Sequence, residues 1–99
     1  MLEKDDNVVL LDVRTVHEFQ SETGHLRGAI LIPLQELPVR VDELNGAREK
    51  TIIAYCRTGN RSGKAAAWLH QRGFRVLNME GGIVHWNEES FPVVKEPRT

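Results

Sequence analysis

Four short strand-like stretches, set between helical patterns, constrain this chain more than any other feature. They are Val8 to Leu11, Ala29 to Ile32, Thr51 to Tyr55 and Arg75 to Asn78. Val8 to Leu11 is apolar without a break and ends in Asp12, which suits a strand covered on both faces. Ala29 to Ile32 is stopped by Pro33, and Gly81-Gly82 breaks the chain after Asn78. Between the stretches, Thr15 with Glu18 reads as a capping box for a short helix carrying Phe19. Gly24 to Gly28 reads as a loop, and Leu34 to Leu37 as a turn. Pro38 fits the first position of a helix with Leu37, Val41 and Leu44 on one face, ended by Asn45-Gly46. Ser62 to Arg72 is expected to be a helix, with Ala65 to Ala67 as strong helix formers and Gly73 as its stop. A last helix is expected from about Ile83 to Glu89. Strands alternating with helices predict a three-layer α/β domain, its central sheet mainly parallel and flanked by helices. Ligands of such sheets bind at the carboxyl ends of the strands.

The 99 residues suffice for one core, not two, so a single domain over 1–99 is expected. The tail 91–99 carries Pro92 and Pro97 and is expected to be loose. Hydrophobic residues are 40% and charged residues 27%, an ordinary globular balance. Nucleic-acid binders are usually clearly basic; the formal net charge here is -1, so no nucleic-acid partner is expected. No apolar run approaches a membrane span, and the acidic start is unlike a secretion signal. No membrane partner and a cytoplasmic location are therefore expected.

The chain holds one cysteine, Cys56. It can form no internal disulfide and no multi-cysteine metal centre. A lone cysteine is by default a small buried hydrophobe. Its neighbours argue otherwise. Tyr55-Cys56-Arg57-Thr58-Gly59-Asn60-Arg61-Ser62 places a strand end, a cysteine, a five-residue turn and a helix start in succession. The first turn of a helix has unpaired N–H groups and the positive end of the macrodipole. A loop wrapping back on it can aim several N–H groups at one point, and Gly59 permits the bend. Arg57 and Arg61 add positive charge. Such a cradle stabilises a thiolate, the reacting form of cysteine.

Two look-alikes fail on spacing. Gly59 to Ala65 is one residue too short for a phosphate-binding Walker loop, and Ala65 stands where its hydroxyl belongs. Cysteine phosphatases set five residues between cysteine and arginine. Here Arg61 follows Cys56 after four, and Ser62 comes next. The shorter ring better suits a single sulfur atom than a phosphoryl group.

With these residues in view, the chain resembles the rhodanese family over nearly its whole length. Cys56 to Arg61 is similar to the family's six-residue active-site loop. Leu11-Asp12-Val13-Arg14 with Glu18-Phe19, Gly24 to Ala29 with Ile32-Pro33, and Gly73 to Leu77 with Gly81-Gly82 and Trp86 resemble its other signatures. The family often carries a further strand and helix ahead of Asp-Val-Arg. Residues 1–7, with Met1 to Lys4 as the remnant of that helix, are read as a truncated stub. Leu31 stands where the family often has asparagine, a position read as structural.

The resemblance implies a ping-pong sulfurtransferase. Cys56 is the catalytic residue and accepts sulfur from a donor such as thiosulfate. Arg57, Thr58, Gly59, Asn60, Arg61 and Ser62 bind the substrate, their N–H groups holding the outer sulfur. Cyanide or a thiol then takes the sulfur. Arg57 and Arg61 attract the anionic donor, or Arg61 points outward and braces the loop. No metal or organic cofactor is implied. The alternatives are a persulfide relay or regulatory module fed by a protein donor or acceptor and, more remotely, phosphatase or arsenate-reductase chemistry.

Asp12 and Arg14 are expected to support the site, first as a charge pair bracing loops and second by contributing to the field around the substrate. Glu18 reads as a helix-start carboxylate and His25 as a hydrogen-bonded structural residue. His17, His70 and His85 lack metal-ligand spacing. Trp68 and Trp86 are expected at the core or its edge, and Arg27, Arg40, Arg48 and Arg72 are too scattered for a basic patch.

Overall fold

In the computed structural model the described residues are 7–21 and 24–88. The order is β1 (Val8–Asp12), α1 (Val16–Phe19), β2 (Ile30–Leu31), a 3-10 turn (Leu34–Glu36), α2 (Leu37–Arg40), a 3-10 stretch (Val41–Ala47), β3 (Thr51–Tyr55), α3 (Asn60–His70), β4 (Arg75–Asn78) and α4 (Gly82–Glu88). The sheet runs β2-β1-β3-β4, and every pairing is parallel. Asp12 lies opposite Tyr55, and Ala54 opposite Asn78, so the carboxyl ends of three strands come together.

Side chains alternate across a strand, and two cores result. Leu11, Val13, Ile52, Ala54 and Cys56 join Leu37, Leu44, Ala65, Leu69 and Phe74 on one face. Leu10 and Tyr55 join Leu26 and Ile83 on the other, with Trp86 packed against them. Trp68 packs at the edge of the first core. Helices cover both faces, which is why the apolar run of β1 is unbroken.

The strands at β3 and β4 fall where the pattern sets them, and the Thr15–Glu18 capping box forms in full. Four expectations are corrected. The second strand is only Ile30–Leu31; the Ala29 N–H is taken instead by a turn, donating to the Leu26 carbonyl at 3.1 Å. Asn45-Gly46 does not end the helical segment, which tightens to 3-10 and runs on to Ala47, burying Leu44 and Ala47. The long helix begins at Asn60, two residues before Ser62, so only Arg57, Thr58 and Gly59 remain as turn. It ends at His70, and Gln71 to Gly73 form a turn closed by the Gly73 N–H on the His70 carbonyl. The last helix, Gly82–Glu88, lies where the pattern sets it. Residues 1–6 of the expected stub and the expected tail lie outside the described residues. No helix among the described residues is long and apolar enough to cross a membrane.

Candidate active site: the Cys56 cradle

Cys56 follows β3 directly and is 1% exposed. Its sulfur sits below the turn that leads into α3. Gly59 adopts φ +106, a left-handed conformation that glycine tolerates, and the chain enters the helix at once. No side chain caps α3. The sulfur takes that role, accepting from the Gly59 N–H at 3.1 Å and the Ser62 N–H at 3.4 Å, with Ser62 Oγ at 3.5 Å. A negative sulfur here satisfies otherwise orphaned donors and complements the helix dipole. Burial pushes the thiol pKa up. The Ser62 hydroxyl and the N–H groups of Ser62, Gly59 and Thr58 outweigh burial, and the thiol lies below its ordinary value.

The carbonyls of the turn are held on the opposite side. Ile83 N–H donates to the Cys56 carbonyl at 2.9 Å, and Val84 N–H to the Arg57 carbonyl at 3.0 Å. The start of α4 thereby fixes the peptide planes so that N–H groups face the sulfur. This close approach requires Gly82, where a Cβ would run into both carbonyl oxygens, at φ +59.

Asn78 escaped the sequence reading. It accepts from the Ser62 hydroxyl and donates from Nδ2 to the Gly59 carbonyl at 3.2 Å, so one side chain ties both ends of the loop. Its signal was positional: a polar residue at the carboxyl end of the strand beside that of Cys56.

The remaining expected site residues divide. Thr58 contributes its backbone. Arg57 and Asn60 are exposed and make no hydrogen bond to the sulfur. Arg61 is drawn aside: both its terminal nitrogens donate to Glu18 at 2.7 Å, so it braces the loop against α1. That pairing is the contact expected of an outward-pointing brace. Glu18 is thus more than a helix-start carboxylate: Arg61 foremost, with the Thr15 cap, holds its pKa down to about 2 against the upward push of burial.

Asp12 and Arg14 do not reach the sulfur. They form a fully buried pair, Arg14 Nη2 to Asp12 Oδ2 at 2.7 Å, and Nη2 also donates to the Gly24 carbonyl at 2.7 Å. This is the expected loop brace. His25 stacks on Phe19, with Nδ1 3.0 Å from the Phe19 carbonyl, also as expected. Among the described residues no His, Cys, Asp and Glu cluster could hold a metal.

The comparisons agree with this architecture. A profile of the Rhodanese-like domain matches residues 1–89. A protein named sulfurtransferase from Allochromatium vinosum is 37% identical over 90 residues, covering 90% of this chain and 80% of that protein. A tRNA uridine(34) hydroxylase of Citrobacter koseri is 36% identical over 98 residues, but the match spans 27% of its length. The solved structure of a rhodanese-related protein from Thermoplasma volcanium superposes with a TM-score of 0.83 at 38% identity, covering 91% of this chain and 86% of that one. A cysteine cradled by N–H groups at the end of a parallel strand, in a chain matched almost throughout, belongs to a member of the rhodanese-like domain family.

Proposed function

We propose that this chain is a sulfurtransferase domain that carries sulfane sulfur as a persulfide on Cys56. The observation that carries the reading is the position of Cys56 Sγ, which accepts from the Gly59 and Ser62 N–H groups. The thiolate attacks the outer sulfur of a donor such as thiosulfate. The donor S–S bond breaks, and sulfite leaves with the bonding pair. The same N–H groups stabilise the terminal sulfur of the persulfide, as an oxyanion hole stabilises oxygen. The chain has no second cysteine, so cyanide or an external thiol removes the sulfur and restores the thiolate. The A. vinosum relative supports the reaction class by its name.

A second reading is a relay loaded by a protein persulfide. The Arg61–Glu18 pair favours it, because it neutralises one of the two arginines that would draw in a small anion. Incubation with thiosulfate followed by intact mass spectrometry is expected to add one sulfur atom to the wild type and none to Cys56→Ser. An adduct that survives Cys56→Ser removes Cys56 from the mechanism. Loading by a protein persulfide but not by thiosulfate selects the relay. Release of phosphate from an aryl phosphate, lost in Cys56→Ser, would instead support phosphatase chemistry.

A further inference from the structure

On the flank of the cysteine loop lies a cleft of about 350 Å³, lined by Thr58, Gly59, Asn60, Asn78, Glu80 and Gly81. Gly59 is shared by the two: its N–H donates to Sγ at 3.1 Å, and the residue also forms part of the cleft wall. The lining is mainly polar, with one hydroxyl, two amides and one carboxylate beside two glycines, and contains no cation. Asn78 is committed to Ser62 and Gly59. Glu80 is exposed and has no ion-pair partner among the described residues.

We infer that this cleft is a subsite for the carrier group of the sulfur acceptor, and that Glu80 makes it select aminothiols over anionic thiols. The charge pattern supports this. Arg61 is neutralised by Glu18. Arg57 is then the one cation of the loop with no ion-pair partner among the described residues. Lys64, one helical turn beyond Asn60 and exposed, is the next cation outward. A carboxylate beside the acceptor's sulfur meets Glu80 in a cleft whose lining offers no cation. An ammonium group a few bonds from the thiol finds a carboxylate partner, with the Asn60 and Thr58 side chains available to hydrogen-bond.

The inference rests on the persulfide reading above. An acceptor thiolate attacks the outer sulfur of the Cys56 persulfide. A new S–S bond forms on the acceptor, the persulfide bond breaks, and its electron pair stays on Cys56 Sγ as the thiolate. The product is the acceptor's persulfide, and no oxidant or reductant enters.

The test begins with protein loaded by thiosulfate or by sulfide-derived polysulfide, with loading verified by intact mass. Discharge rates are then measured with cysteamine, 2-mercaptoethanol and 3-mercaptopropionate for the wild type, Glu80→Gln and Glu80→Lys. Intrinsic thiol reactivity cancels when the cysteamine-to-mercaptopropionate rate ratio is compared between proteins. One charge–charge contact at a surface is worth about fivefold at low salt. Glu80→Gln is expected to lower the ratio by about that factor and Glu80→Lys to lower it further. Both differences should shrink as salt is raised. Equal ratios in all three loaded proteins would overturn the subsite and leave the sulfur carrier standing. Failure of Cys56 to load, or to discharge to any thiol, would overturn the carrier itself.

Discussion

At the scale of single residues, the site depends on how one hydroxyl and a few N–H groups share a sulfur. The Ser62 hydroxyl has one proton and two acceptors within reach, Cys56 Sγ at 3.5 Å and Asn78 Oδ1. As the thiol ionises, the sulfur becomes the stronger acceptor. Ser62→Ala removes that donor while leaving the backbone N–H in place. The thiol pKa is expected to rise, so less thiolate is present at neutral pH. Alkylation by iodoacetamide followed against pH should show its midpoint displaced to higher pH, and sulfur loading slowed at pH 7 should recover at alkaline pH. An unmoved midpoint would mean that the backbone alone sets the thiolate. Cys56, Gly59 and Ser62 were legible because they are neighbours in sequence and their geometry follows from a strand running into a helix. Asn78 was not, since it lies 16 residues beyond Ser62 and arrives only through the pairing of β4 with β3.

At the scale of elements, three helix starts converge on the loop, and two of them make separate predictions. The start of α3 needs no capping side chain because the sulfur substitutes for one, and so the helix begins earlier than a serine-capped pattern predicts. The start of α4 grips the loop carbonyls through Gly82. Gly82→Ala places a side chain at φ +59 against two carbonyl oxygens. Strain of this kind typically costs roughly 1–3 kcal/mol or more, so thermal unfolding should fall by on the order of 10 °C. Near wild-type stability would show that the loop can yield. The capping box of α1 holds Glu18, which holds Arg61. Arg61 keeps Glu18 at about 2 rather than the ordinary 4.5. A depressed carboxylate stabilises the fold above its ordinary pKa and loses that contribution as pH falls through its folded value. The wild type should therefore exceed Glu18→Gln in denaturant midpoint at pH 7. The gap should narrow between about pH 5 and pH 2. A pH-independent gap would assign the effect to shape rather than charge.

At the scale of the whole molecule, the buried Asp12–Arg14 pair fastens the end of β1 to the carbonyl of Gly24. Removing one partner strands a buried charge, a loss of roughly 3–5 kcal/mol. Arg14→Met is expected to lower the urea midpoint strongly, while the fraction that remains folded still loads sulfur on Cys56. Loss of loading in folded protein would place Arg14 in the chemistry instead. By itself, the sequence determined the strand–helix alternation, the parallel sheet and the place of the lone cysteine at a strand end. Those properties follow from local apolar patterning, glycine placement and the spacing of one short loop. The tertiary structure decided which polar groups meet. It turned Arg61 toward Glu18, 43 residues away, brought Asn78 under the loop and laid Glu80 beside the cleft. Side-chain partners across strands depend on register and on helix placement against both sheet faces. Those are set by packing of the whole core, which no local pattern encodes.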